Sequence, residues 1–282
     1  MTLLFFSSTP LFSSTYYENS PLFKLAKKID SFESPTHLKF VDCVYVVNLE
    51  SRPEKWDRTN KFLLDQGVKA TRFIGVDGFD LSSEEQLLIT NGNPFNFSPG
   101  QIGCYLSHIS IYQHAFENNF DYIWICEDDI QPVADIHQIS SLIQELNKFD
   151  RHWDVLYTDI DYAGWDGTFI TEQTIHLPPQ RAAERAYFTK KFHRKNISPT
   201  LQKLGLRFGT YSYLVSRRGV QKYIQHFAKK VMECPIDADM HYIRGLREYC
   251  TRHNIVIQLP GNTESDVNRK EKGEFRNKIL KF

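Results

Sequence analysis

The fold is indicated most directly by residues 43–78, "CVYVVNLESRPEKWDRTNKFLLDQGVKATRFIGVDG". The first eight residues are short, β-branched and apolar on both faces, which is typical of a buried parallel strand. A helix is predicted next, because Ser51 can cap its start, Pro53 suits its first turn and Gly67 can end it. A second strand then closes at Asp77 with an Asp-Gly turn. This β-α-β opening is the usual start of an open α/β sheet.

The rest of the sequence continues the alternation of strands and helices. Strands are predicted in "DYIWICEDDI" (121–130), "WDVLYTDID" (153–161), "GTYSYLVS" (209–216) and "IVIQLP" (255–260). Helices are predicted at the start of 81–97 and in 98–119, 137–149, 216–230 and 235–250. The expected fold class is therefore α/β, with an open mixed sheet flanked by helices.

Composition excludes several classes of protein. The 282 residues are 41% hydrophobic and 24% charged, which is ordinary for a globular chain. Lys plus Arg equals Asp plus Glu at 34 each, so net charge gives no support to nucleic-acid binding. The five cysteines form no C-x-x-C pair, which argues against a zinc ribbon and fits buried thiols in a reducing compartment. No apolar run is long enough for a membrane-spanning helix.

Three adjacent carboxylates end the strand in "DYIWICEDDI", at Glu127, Asp128 and Asp129. Like charges repel, and burying them is costly unless a cation balances them. Ligands of open α/β sheets bind beyond the carboxyl ends of the strands, where these side chains are expected. Carboxylate oxygens suit Mg²⁺ or Mn²⁺, which in turn bind diphosphates. The alternative is a solvated strand end whose aspartates cap a helix.

Seven segments carry a resemblance to a known family, in the family's order and rough spacing. They are "VYVVNLESRPEKW", "FIGVDG", "SPGQIGCYLSHI", "ICEDDI", "WDVLY", "GTYSYLVSRRG" and "PIDADM". Over roughly residues 42–260 the chain resembles glycosyltransferase family 25, the lipopolysaccharide-type enzymes related to the collagen galactosyltransferases. The run G-x-I-G-C-x-x-S-H together with the acidic triplet is more specific than either motif alone.

The resemblance implies an activity and its cofactors. It implies a GT-A fold, a nucleotide-sugar donor (typically UDP-galactose or UDP-glucose), a Mn²⁺-type metal (or Mg²⁺) and inversion at the anomeric carbon. The acceptor would be a glycan or a lipid-linked, lipopolysaccharide-type saccharide. The expected location is the cytoplasm, with possible contact at the inner face of a membrane.

Family-like roles can then be assigned to individual residues. The expected donor-binding residues are Asn48, Arg52, Asp77, Gly103, Ser107, His108 and Asp128. Each has an ordinary structural alternative: Arg52 as an exposed arginine at a helix start, Asp77 as part of a simple turn, and His108 as a structural histidine. The glycines at 100 and 103 suit close backbone approach to a phosphate, or a tight loop.

The expected metal ligand is Asp129, with Asp128 or Glu127 contributing directly or through water. Inverting transfer also needs a general base to take the proton of the attacking acceptor hydroxyl. Asp237 in "PIDADM" is the preferred base, with Asp239 in the same motif. Asp159 and Asp161, which end another strand, compete for that role, and an N-terminal helix cap is the structural alternative for Asp237.

Three segments are predicted along the chain. Residues 1–38 form an N-terminal extension that we expect to pack loosely, 39–262 form the glycosyltransferase domain, and 263–282 form a polar C-terminal tail. Within the domain, a basic excursion spans about 162–205. It is expected to be a solvated insertion, or else to touch an acceptor or an anionic surface.

Two other functions remain open from the sequence alone. One is a metal-dependent phosphoryl-transfer enzyme on the same type of sheet. The other is a family member that binds a glycan or a protein without catalysis. The donor sugar, the acceptor, the linkage and the oligomeric state do not follow from the sequence.

Overall fold

A computed structural model describes residues 17–33, 38–92, 96–160, 177, 179–205 and 207–259. In these residues a mixed sheet of eight strands forms the centre of the fold, in the order β2-β1-β3-β8-β5-β9-β7-β6. The strands are β1 (Cys43–Asn48), β2 (Thr71–Ile74), β3 (Tyr122–Glu127), β4 (Ile130–Pro132), β5 (Val155–Tyr157), β6 (Lys195–Asn196), β7 (Leu201–Lys203), β8 (Ser212–Ser216), β9 (Glu248–Thr251) and β10 (Val256–Gln258). Strands β4 and β10 form a separate antiparallel pair.

The predicted β-α-β opening is confirmed. Strand β1 pairs in parallel with both β2 and β3, and Val46 lies opposite Cys126 in the register with β3. The helices are α1 (Pro21–Lys24), α2 (Pro53–Asp65), α3 (Ser83–Ile89), α4 (Pro99–Glu117), α5 (Gln138–Phe149), α6 (Arg185–Lys191), α7 (Arg217–Phe227) and α8 (Ile236–Asp239). Beyond β3 the sheet becomes mixed, because β8 runs antiparallel to both β3 and β5.

Helices cover both faces of the sheet, and alternate strand residues supply the two cores. Tyr45 and Ile125 point to one face, where they share a buried cluster with residues of α1, α4 and α7. Val46 and Trp124 point to the other face and share a buried cluster with residues of α2 and α5. The central strands are therefore apolar on both sides, as expected for strands inside an α/β sandwich.

Part of the N-terminal extension packs closely against the domain. Leu22 and Phe23 of α1 are buried in the same core as α4. The Tyr17 hydroxyl donates to Glu117 at 2.7 Å, and the Lys27 amide donates to Ser110 at 2.8 Å. The loose packing expected for this segment is thus wrong for residues 17–33, because it covers apolar surface of α4.

Several elements differ from the sequence prediction. The helix expected over 235–250 is wrong beyond α8, since a 3₁₀ turn follows at Met240–Tyr242 and the chain then enters β9. The predicted late strand exists as β10, but it pairs with β4 outside the main sheet. The described part of the basic excursion holds a 3₁₀ helix at Pro179–Glu184, then α6, β6 and β7. The C-terminal tail lies outside the described residues.

In the part of the chain that the structure describes, no helix combines the length and apolarity needed to cross a bilayer.

Candidate functional site

A pocket opens where β1, β2 and β3 end, beside the N-terminal half of α4. Its lining residues come from the last residues of β1 and β3, from the loops after β1, β2 and β3, from α2 and from α4: Val47, Asn48, Leu49, Lys55, Val76, Asp77, Gly78, Phe79, Gly100, Cys104, Ser107, His108, Glu127, Asp128 and Asp129. Seven predicted site residues, at 48, 77, 107, 108 and 127–129, therefore line one pocket. It lies at the carboxyl ends of parallel strands, the usual place for a ligand in such sheets.

Two small residues let α4 pack tightly against the loop after β2. A Cβ atom on Gly103 would lie 2.4 Å from the carbonyl oxygen of Val76. The Ser107 hydroxyl accepts the Val76 amide at 2.8 Å and donates to the Gly103 carbonyl at 2.7 Å. The structure thus gives Gly103 and Ser107 a packing role that positions the pocket wall, and Gly103 itself is not among the lining residues.

The carboxylate of Asp128 is held within the protein. One of its oxygens accepts the Asn48 side-chain amide at 2.6 Å, and the other lies 3.9 Å from the Lys55 ammonium. The Asp128 carbonyl also accepts the Thr59 hydroxyl at 2.7 Å. Lys55 is only 1% exposed, so a buried cation balances this carboxylate.

The amide of Asn48 is fully engaged. Its NH₂ group donates to Asp128 and, at 2.9 Å, to the Arg52 carbonyl. Its oxygen accepts both Nε and a terminal nitrogen of Arg72, at 2.9 and 2.6 Å. Arg52 is not among the lining residues, and its guanidinium forms an ion pair with Glu54 at 2.7 Å. Asn48 therefore lies at the site, where it hydrogen-bonds Asp128 and Arg72, whereas Arg52 is not among the residues that line the pocket.

Asp129 is in a different environment from its neighbour. One carboxylate oxygen accepts the side-chain amide of Gln258 at 2.9 Å. The other oxygen is buried and has no hydrogen-bond partner among the described residues. Burial, and then the charge of Glu127, raise the pKa of Asp129 to about 7. A buried carboxylate with a free oxygen and a raised pKa is what a site for a cation would show before the cation binds.

Glu127 and His108 face each other at the back of the pocket. Burial acts to raise the pKa of Glu127, but His108, Thr210 and Lys55 outweigh it and hold that pKa below its usual value. The Thr210 hydroxyl donates to Glu127 at 2.6 Å. His108 is fully buried, its Nδ1 lies 2.6 Å from the Tyr213 hydroxyl, and its Nε2 lies 3.8 Å from Glu127.

Asp77 closes the turn after β2. Its carboxylate accepts the Phe79 amide at 3.1 Å, as an aspartate in an Asx turn does. It also lines the pocket. The structure is thus consistent with both expected roles of Asp77, as part of the turn and as a contact to a ligand.

The two aspartates of "PIDADM" are placed differently. The carboxylate of Asp237 is partly exposed and accepts the Gly209 amide at 2.9 Å. Its charge also helps to raise the pKa of Cys104, a lining residue, but Asp237 itself is not among the lining residues. Asp239 is buried between α4 and α7, where its two oxygens meet the Tyr105 hydroxyl at 2.7 Å and His226 at 2.9 Å. The structure does not bring Asp239 to the pocket.

The competing aspartate after β5 is also committed to internal contacts. Asp159 is 3% exposed and pairs with the buried Arg207 guanidinium at 2.6 Å. Its second oxygen accepts the hydroxyl of Tyr211. Asp161 lies outside the described residues.

Sequence reasoning missed five residues that shape the site: Lys55, Thr59, Arg72, Thr210 and Gln258. One signal was available for two of them. The buried residues of α2 are Lys55, Thr59 and Leu63, spaced four apart, so an apolar residue shares its helix face with a lysine and a threonine. Nothing in the local sequence marks the other three.

These contacts define what the site can do chemically. Asp129 and Glu127 offer oxygen ligands to a divalent cation, and residues of α4 line the same pocket.

The sequence model of Glycosyltransferase family 25 (LPS biosynthesis protein) matches residues 41–240, which include all of the lining residues.

Curated relatives match over shorter spans. The chain is 24% identical to "Procollagen galactosyltransferase 2" of Mus musculus over 126 residues, 41% of this chain and 20% of that protein. It is 23% identical to "Procollagen galactosyltransferase 1" of Danio rerio over 207 residues, 70% of this chain and 30% of that protein. It is 25% identical to "Inactive glycosyltransferase 25 family member 3" of Homo sapiens over 133 residues, 44% of this chain and 22% of that protein.

The chain therefore spans less than a third of the length of these relatives. The family match, in contrast, covers well over half of the chain and confirms the resemblance carried by the motifs. The chain belongs to glycosyltransferase family 25.

Proposed function

We propose that this protein is a metal-dependent glycosyltransferase that moves a hexose from a UDP-sugar to a glycan or lipopolysaccharide-type acceptor, with inversion. Galactose or glucose is the expected sugar. Family membership and the galactosyltransferase names of two relatives support the activity class. The pocket after β1–β3, with helices on both faces of a mixed sheet, supports a GT-A type fold.

The observation that carries the proposal is the buried, unpartnered oxygen of Asp129 next to Glu127. Two carboxylates that share a buried site repel each other unless a proton or a cation lies between them. Oxygen ligands of this kind suit Mn²⁺ or Mg²⁺, which retain room for water and phosphate oxygens. The residues therefore fit a divalent cation, held by Asp129 with Glu127 directly or through water.

Asp128 takes a supporting part in this scheme. Because Asn48 and Lys55 already hold its carboxylate, we assign it to positioning the strand end rather than to direct ligation. Lys55 lines the pocket and offsets part of the negative charge of the acidic triplet. The bound cation would offset charge on the departing nucleoside diphosphate.

Asp237 is the base that the contacts favour. It is partly exposed and its charge acts on the lining residue Cys104, whereas Asp239 and Asp159 are each buried and paired on both oxygens. A carboxylate that remains accessible can take a proton from an incoming hydroxyl. The Gly209 amide donates a hydrogen bond to the Asp237 carboxylate and so orients it.

The test is the substitution Asp129→Asn, assayed with UDP-galactose and UDP-glucose, Mn²⁺ and water as the acceptor. We expect metal-dependent hydrolysis to fall by more than about 100-fold, since even outer contacts of a metal site are worth about 10–100-fold. Asp121→Asn is the matched control. It removes a carboxylate that is 67% exposed at the opposite end of the same strand, and hydrolysis should be unchanged. Unaltered hydrolysis in Asp129→Asn would overturn the assignment.

A second candidate function is donor binding without transfer. It is favoured by the relative whose name describes it as inactive, which is 25% identical to this chain over 133 residues. Such a protein would still bind UDP with Mn²⁺ but would release no sugar from any UDP-sugar. The two functions therefore separate when binding and hydrolysis are measured on the same sample.

A further inference from the structure

Three side chains with metal-binding atoms converge at the back of the pocket. They are Cys104, His108 and Glu127, and one ligand atom from each lies within 4.8 Å of the others. Cys104 and His108 are four residues apart on α4, so they share one face of the helix. Glu127 ends β3 and points to the same side of the sheet as α4.

His108 supplies an independent sign that a ligand belongs there. The ring is fully buried, and Nε2 has no hydrogen-bond partner among the described residues. It is 3.8 Å from the nearest Glu127 oxygen, too far for a direct hydrogen bond. A buried ring nitrogen without a hydrogen-bond partner among the described residues thus lies close to a carboxylate and a thiol.

We propose that Cys104, His108 and Glu127 form a binding site for a thiophilic divalent cation, with Zn²⁺ as the best fit. Thiolate, imidazole and carboxylate are the ligands that zinc prefers. Bonds of about 2.0–2.3 Å to these atoms place tetrahedral ligands roughly 3.3–3.6 Å apart. The ligand atoms, which lie within 4.8 Å of one another, reach these distances when the side chains move together by about one ångström.

The surroundings of the three ligands fit the same role. Metal-bound histidines and carboxylates are usually oriented by a second hydrogen bond. Tyr213 makes that bond to Nδ1 of His108, and Thr210 makes it to Glu127. Three protein ligands leave a fourth position open, and all three residues line the pocket, so this position faces its interior.

This site is distinct from the one proposed at Asp129. That position offers oxygen atoms only, which suit Mn²⁺ or Mg²⁺, whereas sulfur and imidazole select softer ions. The two positions share Glu127, so an ion bound to Cys104 and His108 withdraws this carboxylate from the oxygen site. Zn²⁺ is therefore a competitor of the Mn²⁺-dependent state, not a substitute for it.

Binding has a defined proton balance. Burial raises the pKa of Cys104 well above its usual value, so the thiol is protonated before the ion arrives. When the metal–sulfur bond forms, the thiol proton leaves to solvent, together with any proton on Nε2 of His108. No oxidant or reductant takes part.

The test uses Co²⁺, which replaces Zn²⁺ in such sites and gives a thiolate-to-cobalt charge-transfer band in the near ultraviolet. The full chain should show this band on titration with Co²⁺, and Zn²⁺ should abolish it. Cys104→Ala should remove the band, and His108→Gln should weaken it. Cys126→Ala is the matched control, because this buried cysteine precedes Glu127 but points into the opposite core.

Absence of the band from the wild-type chain would overturn the proposal, and so would its persistence in Cys104→Ala. If Cys104→Ala does not fold, alkylation of the wild-type chain decides instead. Zn²⁺ should slow the labelling of Cys104 and leave that of Cys234 unchanged, and equal labelling at Cys104 would contradict the site. Asp129→Asn should keep the cobalt band while losing hydrolysis, so a failure here is separable from a failure of the proposed function.

Discussion

Neighbouring carboxylates at the end of β3 have opposite electrostatic surroundings. Asp128 contacts the Asn48 amide and faces the buried ammonium of Lys55. Asp129 has a single amide contact, and burial raises its pKa to about 7. The difference arises because the turn between β3 and β4 directs Asp128 toward α2 and Asp129 toward β10. One carboxylate is therefore a structural anchor, and the other is available to a ligand.

Lys55 should matter to stability well beyond an ordinary surface lysine. Lys55→Met keeps most of the side chain's apolar bulk but removes the buried ammonium that lies 3.9 Å from the Asp128 carboxylate. Breaking a buried pair in this way costs about 3–5 kcal/mol. We expect the free energy of unfolding to fall by somewhat less than this, because 3.9 Å separates the two charged groups. Urea unfolding followed by circular dichroism measures it.

Lys61→Met on the same helix is the matched control for Lys55→Met. Lys61 is 70% exposed and pairs with Asp65, four residues away. Exposed pairs of this spacing are worth about 0.3–0.5 kcal/mol, so this variant should be nearly as stable as the parent. Equal losses in the two variants would show that the charge of Lys55 is not needed to balance Asp128.

Acidic site residues could be predicted from the sequence because clustered charge after an apolar strand is conspicuous. Among their partners, Lys55 shares a helix face with the apolar Leu63, which is a weak signal in the sequence. Arg72 and Gln258 reach the site only through tertiary contacts. That signal alone does not predict the burial of Lys55. Its burial depends on a carboxylate that is distant along the chain.

At the scale of elements, α4 decides the shape of the site. Ser98 caps the helix in a reciprocal box with Gln101, and Pro99 occupies the first turn. This start fixes where the helix passes the strand ends, so its residues 100, 104, 107 and 108 form one wall of the pocket. Gly103 permits the close approach to the loop after β2.

The far end of α4 carries a pH-sensitive contact with β1. Nδ1 of His114 lies 2.6 Å from the Tyr45 hydroxyl, and burial lowers the pKa of His114 despite the charge of Glu117. The folded state thus favours the neutral ring. An unfolded histidine titrates near about 6.5, so this contribution to stability is present above that pH and is lost as the pH falls below it.

We therefore expect His114→Gln to lose less stability than the wild type on acidification. The measurement is the free energy of unfolding in urea at about pH 7.5 and about pH 5.5, on either side of the unfolded pKa. His152→Gln, at an exposed turn, should keep the wild-type difference between the two pH values. An identical pH dependence in the wild type and His114→Gln would contradict the prediction.

Among the elements, the long segments with a clear apolar period match the prediction from the sequence, and some short ones do not. Helices α2, α4, α5 and α7 form where apolar spacing predicts them, but α2 begins after Arg52 without the side-chain cap expected from Ser51. Strand β9 was missed although Gly245, which has a φ of 72°, directly precedes "LREYC" and separates it from the helix start. Its strand character comes from pairing with β5 and β7, which a local pattern does not contain.

Across the whole molecule, the antiparallel strand β8 connects the two halves of the proposed site. The segment leading into β8 carries Gly209, whose amide binds Asp237, and Thr210, whose hydroxyl binds Glu127. A motif near the end of the domain and the acidic triplet near its middle are thus joined by two adjacent residues. Their order in the sequence predicts neither their distance nor the strand between them.

This arrangement allows binding and transfer to be separated in the intact protein. UDP with Mn²⁺ at about 100 times its dissociation constant should stabilise the fold by about 2.7 kcal/mol and raise Tm by roughly 5 °C. Asp129→Asn should lose the Mn²⁺-dependent part of this shift, because it removes the proposed ligand. Asp237→Asn should keep the shift and lose sugar transfer, because a base contributes to the reaction and not to holding the nucleotide. Differential scanning fluorimetry, with UDP and Mn²⁺ separately and together, measures these shifts.

The same measurement separates the two proposed functions. A shift in Tm without hydrolysis of any UDP-sugar by the wild type would favour donor binding without catalysis. No shift in Tm under any condition would contradict both proposed functions.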